Sequence, residues 1–555
     1  MELIDQHTKA IMEGCKERAR DAGLQFEDET LEYIVTNRDL IELSPKLMIP
    51  TLYDYWVHDV EVLRERGKYE LYPSNPYETV INTRPAMSFY NDNNPDWLNV
   101  MIFYHVLAHI DFFQNNIYFK HTWNYDFAGQ ALSDKRLIAR LRSEKGRWVD
   151  YTIEFARGID NITGFYRELA RSDAPAGDGL SDRINYYFDI FLQNREKGEQ
   201  ALYLKEIQRY NQCMAQDPDH GEKAFFADVG RTYPEFEALF EKYLDERTPA
   251  PADLLAYLID HSPELAREDS KWMKSVLQVV RNTSLFFQPQ IRTKIINEGW
   301  SSYWHETLFL NDDRIAGHEV DFARVNAKVS SLPRVGLNPY ALGMRLFQYI
   351  EELGDKGRHT MAFRRINDIL QRDKYDMATG NGRSLIFDVR RQMNDFLLLY
   401  HFIDQDFVNK NKLFVTGKRI NAQKGVWEYY VKSRSADQYR QMALDSLYHP
   451  PHITVNHDKT LPERLYLTHT FEHKPLVKDF IENTMMGIEF LWGGTVELET
   501  SEPVVSGQEE EAYAYPLMPM PGIGPLMGEE AQEKEVHWER VIYTMKDRTL
   551  TRRLK

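Results

Sequence analysis

The chain has 555 residues, 43% of them apolar and 13% aromatic, which excludes disorder over most of its length and provides for a large core. Its formal net charge is −17, with no basic block to offset it. Binding to a phosphate backbone or docking on an anionic membrane is therefore not expected.

Cys15 and Cys213 are the only cysteines and lie far apart, which fits a reducing compartment. The opening Met1–Gln6 lacks a basic segment followed by an apolar one, so no signal peptide is expected. The longest apolar run, near Phe396–Leu399, is too short to span a bilayer. These features point to the cytoplasm.

In chain order, the 3.6-residue period predicts helices over Glu2–Ala22 and Glu27–Asn37. Prolines 50, 73, 76 and 85 then interrupt short aromatic runs, and Tyr77–Asn82 reads as a strand. Asn94-Pro95-Asp96 predicts a helix start, with Asn94 as the cap. Helices are expected around Leu137–Gln193, over Gly198–Asp260 with a break at Pro249-Ala250-Pro251, and over Ser270–Phe286. Another begins near Gln290 and runs through His305, and Asn338-Pro339 opens the next.

Met377–Gly382 is the clearest boundary signal. Beyond it the period shifts toward two, with strands expected at Lys412–Thr416, Trp427–Val431, Ile453–Val455, Arg464–His469, Thr495–Glu499 and Val541–Thr544, and a helix over Val477–Leu491. The fold expected is a predominantly α-helical core over 1–380, with short strands, followed by a small C-terminal α+β domain over 381–555. Glu502–Glu535, rich in Pro, Glu, Met and Gly, reads as an excursion from that domain.

The candidate chemistry is concentrated in two segments. His105 and His109 are four residues apart, so both imidazoles project from one helical face, beside Leu98, Ile102 and Phe112. Core-facing histidines need partners, and a shared metal ion would satisfy them; so would carbonyls or carboxylates. The metalloprotease form of this pair has Glu after the first His, whereas this chain has Val106, which counts against an ordinary metalloprotease. Asp111 lies about 200° around the helix from His109 and makes a poor co-ligand.

In the second segment, Glu298 and His305 are seven apart and return to nearly the same helical direction, with Trp300 and Trp304 as an adjacent indole pair. Together the two segments could supply a four-ligand site for zinc or another divalent metal, with Glu298 as ligand, orienting group or catalytic acid/base. A solvated Glu298 and a partly buried His305 are the alternative. Gly299 inside a helix suggests a close approach by backbone or ligand. His318 and Glu319 could add polar groups, but neighbours in sequence diverge on a helix, so only one would join and both suit a surface.

These residues, in order, resemble the SpoVR (stage V sporulation protein R) family. The resemblance rests on Met48-Ile49-Pro50-Thr51 with Tyr55-Trp56, Tyr77–Asn82, His109–Phe113 with Asn115-Asn116, Asn297–Trp300 with Trp304-His305, and Gly336–Gly343. Leu465–His469, Leu491–Gly494 and Val496–Thr500 resemble the family's C-terminal domain. The resemblance implies a regulatory role in spore-cortex formation or stationary-phase and stress physiology. It also implies a AAA+ serine-kinase-like ATPase and an associated stress protein as partners. It names no catalytic residue. The alternative is a metal-dependent hydrolase acting on a peptide or cell-wall precursor through His105, His109, His305 and Glu298.

Overall fold

The computed structural model describes residues 2–27, 29–36, 78–123, 127–163, 182–192, 200–217, 221–246, 253–366, 368–421, 426–472, 474–503 and 538–555. The chain is mostly helical, with short sheets and a strand-rich C-terminal region.

The N-terminal part comprises β1 (Glu2–Leu3), α1 (Gln6–Asp21), β2 (Thr30–Val35), β3 (Glu78–Ile81), β4 (Ala86–Asn91) and α2 (Asp96–Asn115). The strands form one sheet in the order β1-β2-β4-β3, with β2 and β4 parallel and the other pairs antiparallel. The helix expected at Glu27–Asn37 is therefore wrong. Thr30, Tyr33, Ile34 and Val35 are strand formers, and pairing with β4 overrides a weak helical period. Asn94 is not the cap of α2 either: Pro95 holds that position, and the Asn94 amide donates to the Asn91 carbonyl.

Next come α3 (Phe127–Lys145), α4 (Trp148–Arg157), α5 (Gln200–Gln216), α6 (Gly221–Thr232), α7 (Phe236–Glu246), α8 (Leu254–His261) and α9 (Trp272–Arg292). Then follow α10 (Lys294–Phe309), α11 (Glu319–Ser330), α12 (Pro339–Asp355), α13 (Gly382–Gln392) and α14 (Asp395–Phe402). The start expected near Gln290 falls instead at Lys294, because α9 continues through Pro289 to Arg292. The Asp395 carboxylate caps α10, accepting from the Ile295 and Ile296 amides at 2.9 and 2.8 Å. Asn338 caps α12 as expected, with its side chain accepting from the Tyr340 and Ala341 amides.

The C-terminal part has a hairpin of β5 (Val415–Asn421) and β6 (Val426–Ser433), followed by α15 (Ala436–Asp445). A five-stranded sheet then uses β7 (His452–Val455), β8 (Arg464–Thr470), α16 (Lys478–Trp492) as crossover, β9 (Thr495–Pro503), β10 (Trp538–Lys546) and β11 (Thr549–Leu554). Its order is β11-β10-β9-β8-β7, with β8 and β9 its parallel pair. Glu502, placed in the excursion by composition, lies in β9; residues 504–537, Met48–Trp56 and the Pro249-Ala250-Pro251 break fall outside the described residues.

Two cores organise these elements. The first joins α1, α2, α10, α12, α13, α14 and α15, so residues from Leu385 to Ala443 pack with the N-terminal helices. The second joins α3, α4, α8 and α9 to α16 and the five-stranded sheet. At the centre of the first core, α2 is buried all round from Asn99 to Phe113, not only on one face. α10 packs against both α2 and α12. Gly299 explains the tightness of the second contact: a Cβ on Gly343 would sit 2.6 Å from the Gly299 Cα. The approach that Gly299 permits is thus by backbone.

Candidate functional site

α2 presents His105 and His109, and α10 presents Asn297, Glu298 and His305, across one helix–helix contact. The Glu298 Oε2 lies 3.7 Å from His105 Nε2 and 3.5 Å from His109 Nε2. The candidate ligand atoms of His105, His109 and Glu298 all fall within 4.8 Å of one another. Glu298 keeps 17% of its side chain exposed, against 5% and 7% for the two histidines, but its Oε2 and the His105 Nε2 are shielded from solvent.

The remaining ring nitrogens fix which atoms face this cluster. Asn326 Nδ2 donates to Glu306 Oε2 at 2.7 Å, which leaves Asn326 Oδ1 as the acceptor. His305 Nε2–H therefore donates to it at 3.1 Å, and His305 Nδ1 carries a lone pair. His105 Nδ1–H donates to that lone pair at 2.9 Å. On the other side, His109 Nδ1–H donates to Asn297 Oδ1 at 2.9 Å. In the neutral imidazoles both Nε2 atoms thus present lone pairs toward a carboxylate oxygen. Three acceptors facing one another repel unless a proton or a metal cation lies between them.

The charge states agree. Burial, then the neighbouring His105, pushes His109 down to about 4 and His305 down to about 3, so both are neutral at pH 7. Burial opposes the Glu298 carboxylate, but the facing His105 and His109 outweigh it and hold it below the usual range, so it is ionised at pH 7. Ideal tetrahedral zinc, with bonds of about 2.0–2.1 Å, sets neighbouring ligand atoms about 3.3 Å apart. The two separations from Glu298 are close to that edge, so His105, His109 and Glu298 are the residues that could hold a small divalent ion.

Not every expected residue joins. His305 stands behind His105, where it sets the neighbouring ring's hydrogen bond rather than completing a fourth ligand. Asp111 is fully buried elsewhere: its carboxylate accepts from the Gln25 amide and Trp300 Nε1 and lies 3.3 Å from Arg390 Nε. Trp300 and Trp304 are completely buried and pack on Phe387, and Trp300 also on Phe347, so they wall the core rather than the cluster. His318 is exposed and stacked on Trp97, with Asp321 at 3.6 Å, and exposed Glu319 accepts from the Gly317 amide. Asn326, Glu306 and Tyr340, whose ring stacks 6.1 Å from that of His105, carried no signal in residue spacing.

A family model described as SpoVR like protein matches residues 3–448, most of the chain. The chain belongs to the SpoVR family. The matched span includes both helices of the histidine cluster and ends just before β7. This SpoVR protein is also similar to YcgB of Escherichia coli (strain K12), itself described as uncharacterized: 24% identity over 496 residues, covering 84% of this chain and 86% of the relative. No solved structure matches. Among the described residues, no helix is long and apolar enough to cross a membrane.

Proposed function

We propose that His105, His109 and Glu298 hold zinc or another divalent metal, and that the protein is a metal-dependent hydrolase. The supporting observation is that the candidate ligand atoms of His105, His109 and Glu298 lie within 4.8 Å of one another in the contact between α2 and α10. Three protein ligands leave a coordination position open, the arrangement that suits catalysis rather than a purely structural site. A bound ion would supply Lewis acidity for polarising a scissile bond and the attacking water.

The chain's own residues do the rest. Asn297 orients His109, while His305, held by Asn326, orients His105. The substrate class proposed with this reading is a peptide or cell-wall precursor. The regulatory role in sporulation or stress, exercised in the cytoplasm with a AAA+ serine-kinase-like ATPase and a stress protein, draws its support from family membership.

Elemental analysis of the full-length protein, loaded with zinc and dialysed, tests the centre. One ion per chain is expected, lost in His105→Ala and in Glu298→Ala. Metal-free wild-type protein, or full occupancy retained by both variants, would refute it.

A further inference from the structure

Away from the histidine cluster, a cavity of about 190 Å³ opens between the entry turn of α12, the segment Asn411–Phe414, the β5–β6 hairpin and α15. Its apolar lining includes Leu337, Leu342, Leu413 and Met442. Three cations, Arg334, Lys412 and Lys418, also line it, and among the described residues no carboxylate does. That is unusual on a chain with 85 acidic and 68 basic residues, where a random surface depression would expose carboxylates. Lys418 rests its ammonium over the Trp427 ring, 3.9 Å from the centroid, and forms no ion pair within 4 Å with the carboxylate of a described residue. Neither Arg334 nor Lys412 forms an ion pair with a described residue.

A second observation points to a ligand. Tyr439 lines the same cavity and is 5% exposed, yet its hydroxyl meets no hydrogen-bond partner among the described residues. The ring is buried but the hydroxyl is not itself sealed from solvent, so it stays accessible to an occupant of the cavity. Burial is the one influence acting on its ionisation, which it opposes, so the hydroxyl remains protonated and able to donate.

We propose that this cavity binds a small amphipathic anion, its anionic head paired with the exposed Arg334 and Lys412 at the rim, its apolar body lying on Leu337, Leu342, Leu413 and Met442, and the Tyr439 hydroxyl serving as a separate donor along its length. A volume of 190 Å³ equals about six waters of liquid and suits a body of medium-chain size. The apolar floor excludes a bare inorganic ion as the best occupant, because such an ion would leave that floor wet. The first turn of α12 connects the two sites: Asn338 and Leu342 line the cavity, and Tyr340 stacks on His105.

Calorimetric titration of the full-length protein with octanoate and octyl phosphate tests the proposal, with octanol and octylammonium in parallel. At least one anion should bind tighter than about 1 mM, weakening as salt is raised. Whether carboxylate or phosphate binds better identifies the head group. Arg334→Gln and Lys412→Gln should each weaken binding about tenfold, and Tyr439→Phe about fivefold. Near-ultraviolet circular dichroism of each variant should match the parent, separating loss of binding from loss of fold. Equal binding of octanol or octylammonium, no binding of either anion, or unchanged affinity in all three correctly folded variants would overturn it.

Discussion

Replacing Gly343 by alanine probes how closely α10 must approach α12. The added Cβ would stand 2.6 Å from the Gly299 Cα and closer still to the Ile295 carbonyl, and ordinary contact begins near 3.4 Å. The helices must therefore part by about 1 Å, because the obstacle is backbone rather than a flexible side chain. Overpacking of this kind costs about 1–3 kcal/mol, and a rigid backbone clash belongs at the upper end. Since α10 also carries Glu298, a shift of this size would move the carboxylate relative to His105 and His109 and weaken metal binding with stability. Trp300 and Trp304, both completely buried beside the crossing, report the transition through their fluorescence in urea. A midpoint change worth less than about 0.5 kcal/mol, the range of an ordinary surface substitution, would refute the argument.

Asn326→Leu removes the acceptor that fixes His305, and metal affinity should fall about 10–100-fold while the three ligands remain. Competition titration with a chromophoric chelator measures this, and an unchanged affinity would mean that His305 does not set the orientation of His105. A separate test concerns the C-terminal sheet. His469 sits against Thr500, and burial with the nearby Arg540 pushes it from 6.5 down to about 4. In that window the unfolded chain binds more protons than the folded one, so stability is fully present above pH 6.5 and declines as the pH falls toward 4. His469→Gln should flatten that decline in urea midpoints measured from pH 7 to pH 4; an unaltered slope would remove His469 from the account.

The helical class and most long helices were legible in the sequence, because long amphipathic periods and Asn-Pro starts are local properties. Asn338-Pro339 shows this, since its cap is made within four residues. The same logic failed at Glu27–Asn37, where a parallel neighbour more than fifty residues away turns the segment into a strand. His105, His109 and Glu298 were identifiable as candidates because imidazoles and a carboxylate at helical spacing in apolar surroundings are conspicuous. Their convergence needed α2 and α10 to cross at a particular depth and rotation, which Gly299 and Gly343 permit and Asp395 helps to hold.

Sequence alone determined the inventory: a large acidic chain, helices of definable length, and the residue types from which a metal centre could be made. Tertiary packing decided the roles. It put His305 behind His105 instead of beside Glu298, sent Asp111 to Arg390 and Trp300, and brought in Asn326 as the residue that fixes a tautomer. The physical reason is that helical period fixes only direction about an axis. Which atom of a ring faces which partner depends on hydrogen bonds between helices, and those exist only once the chain has folded.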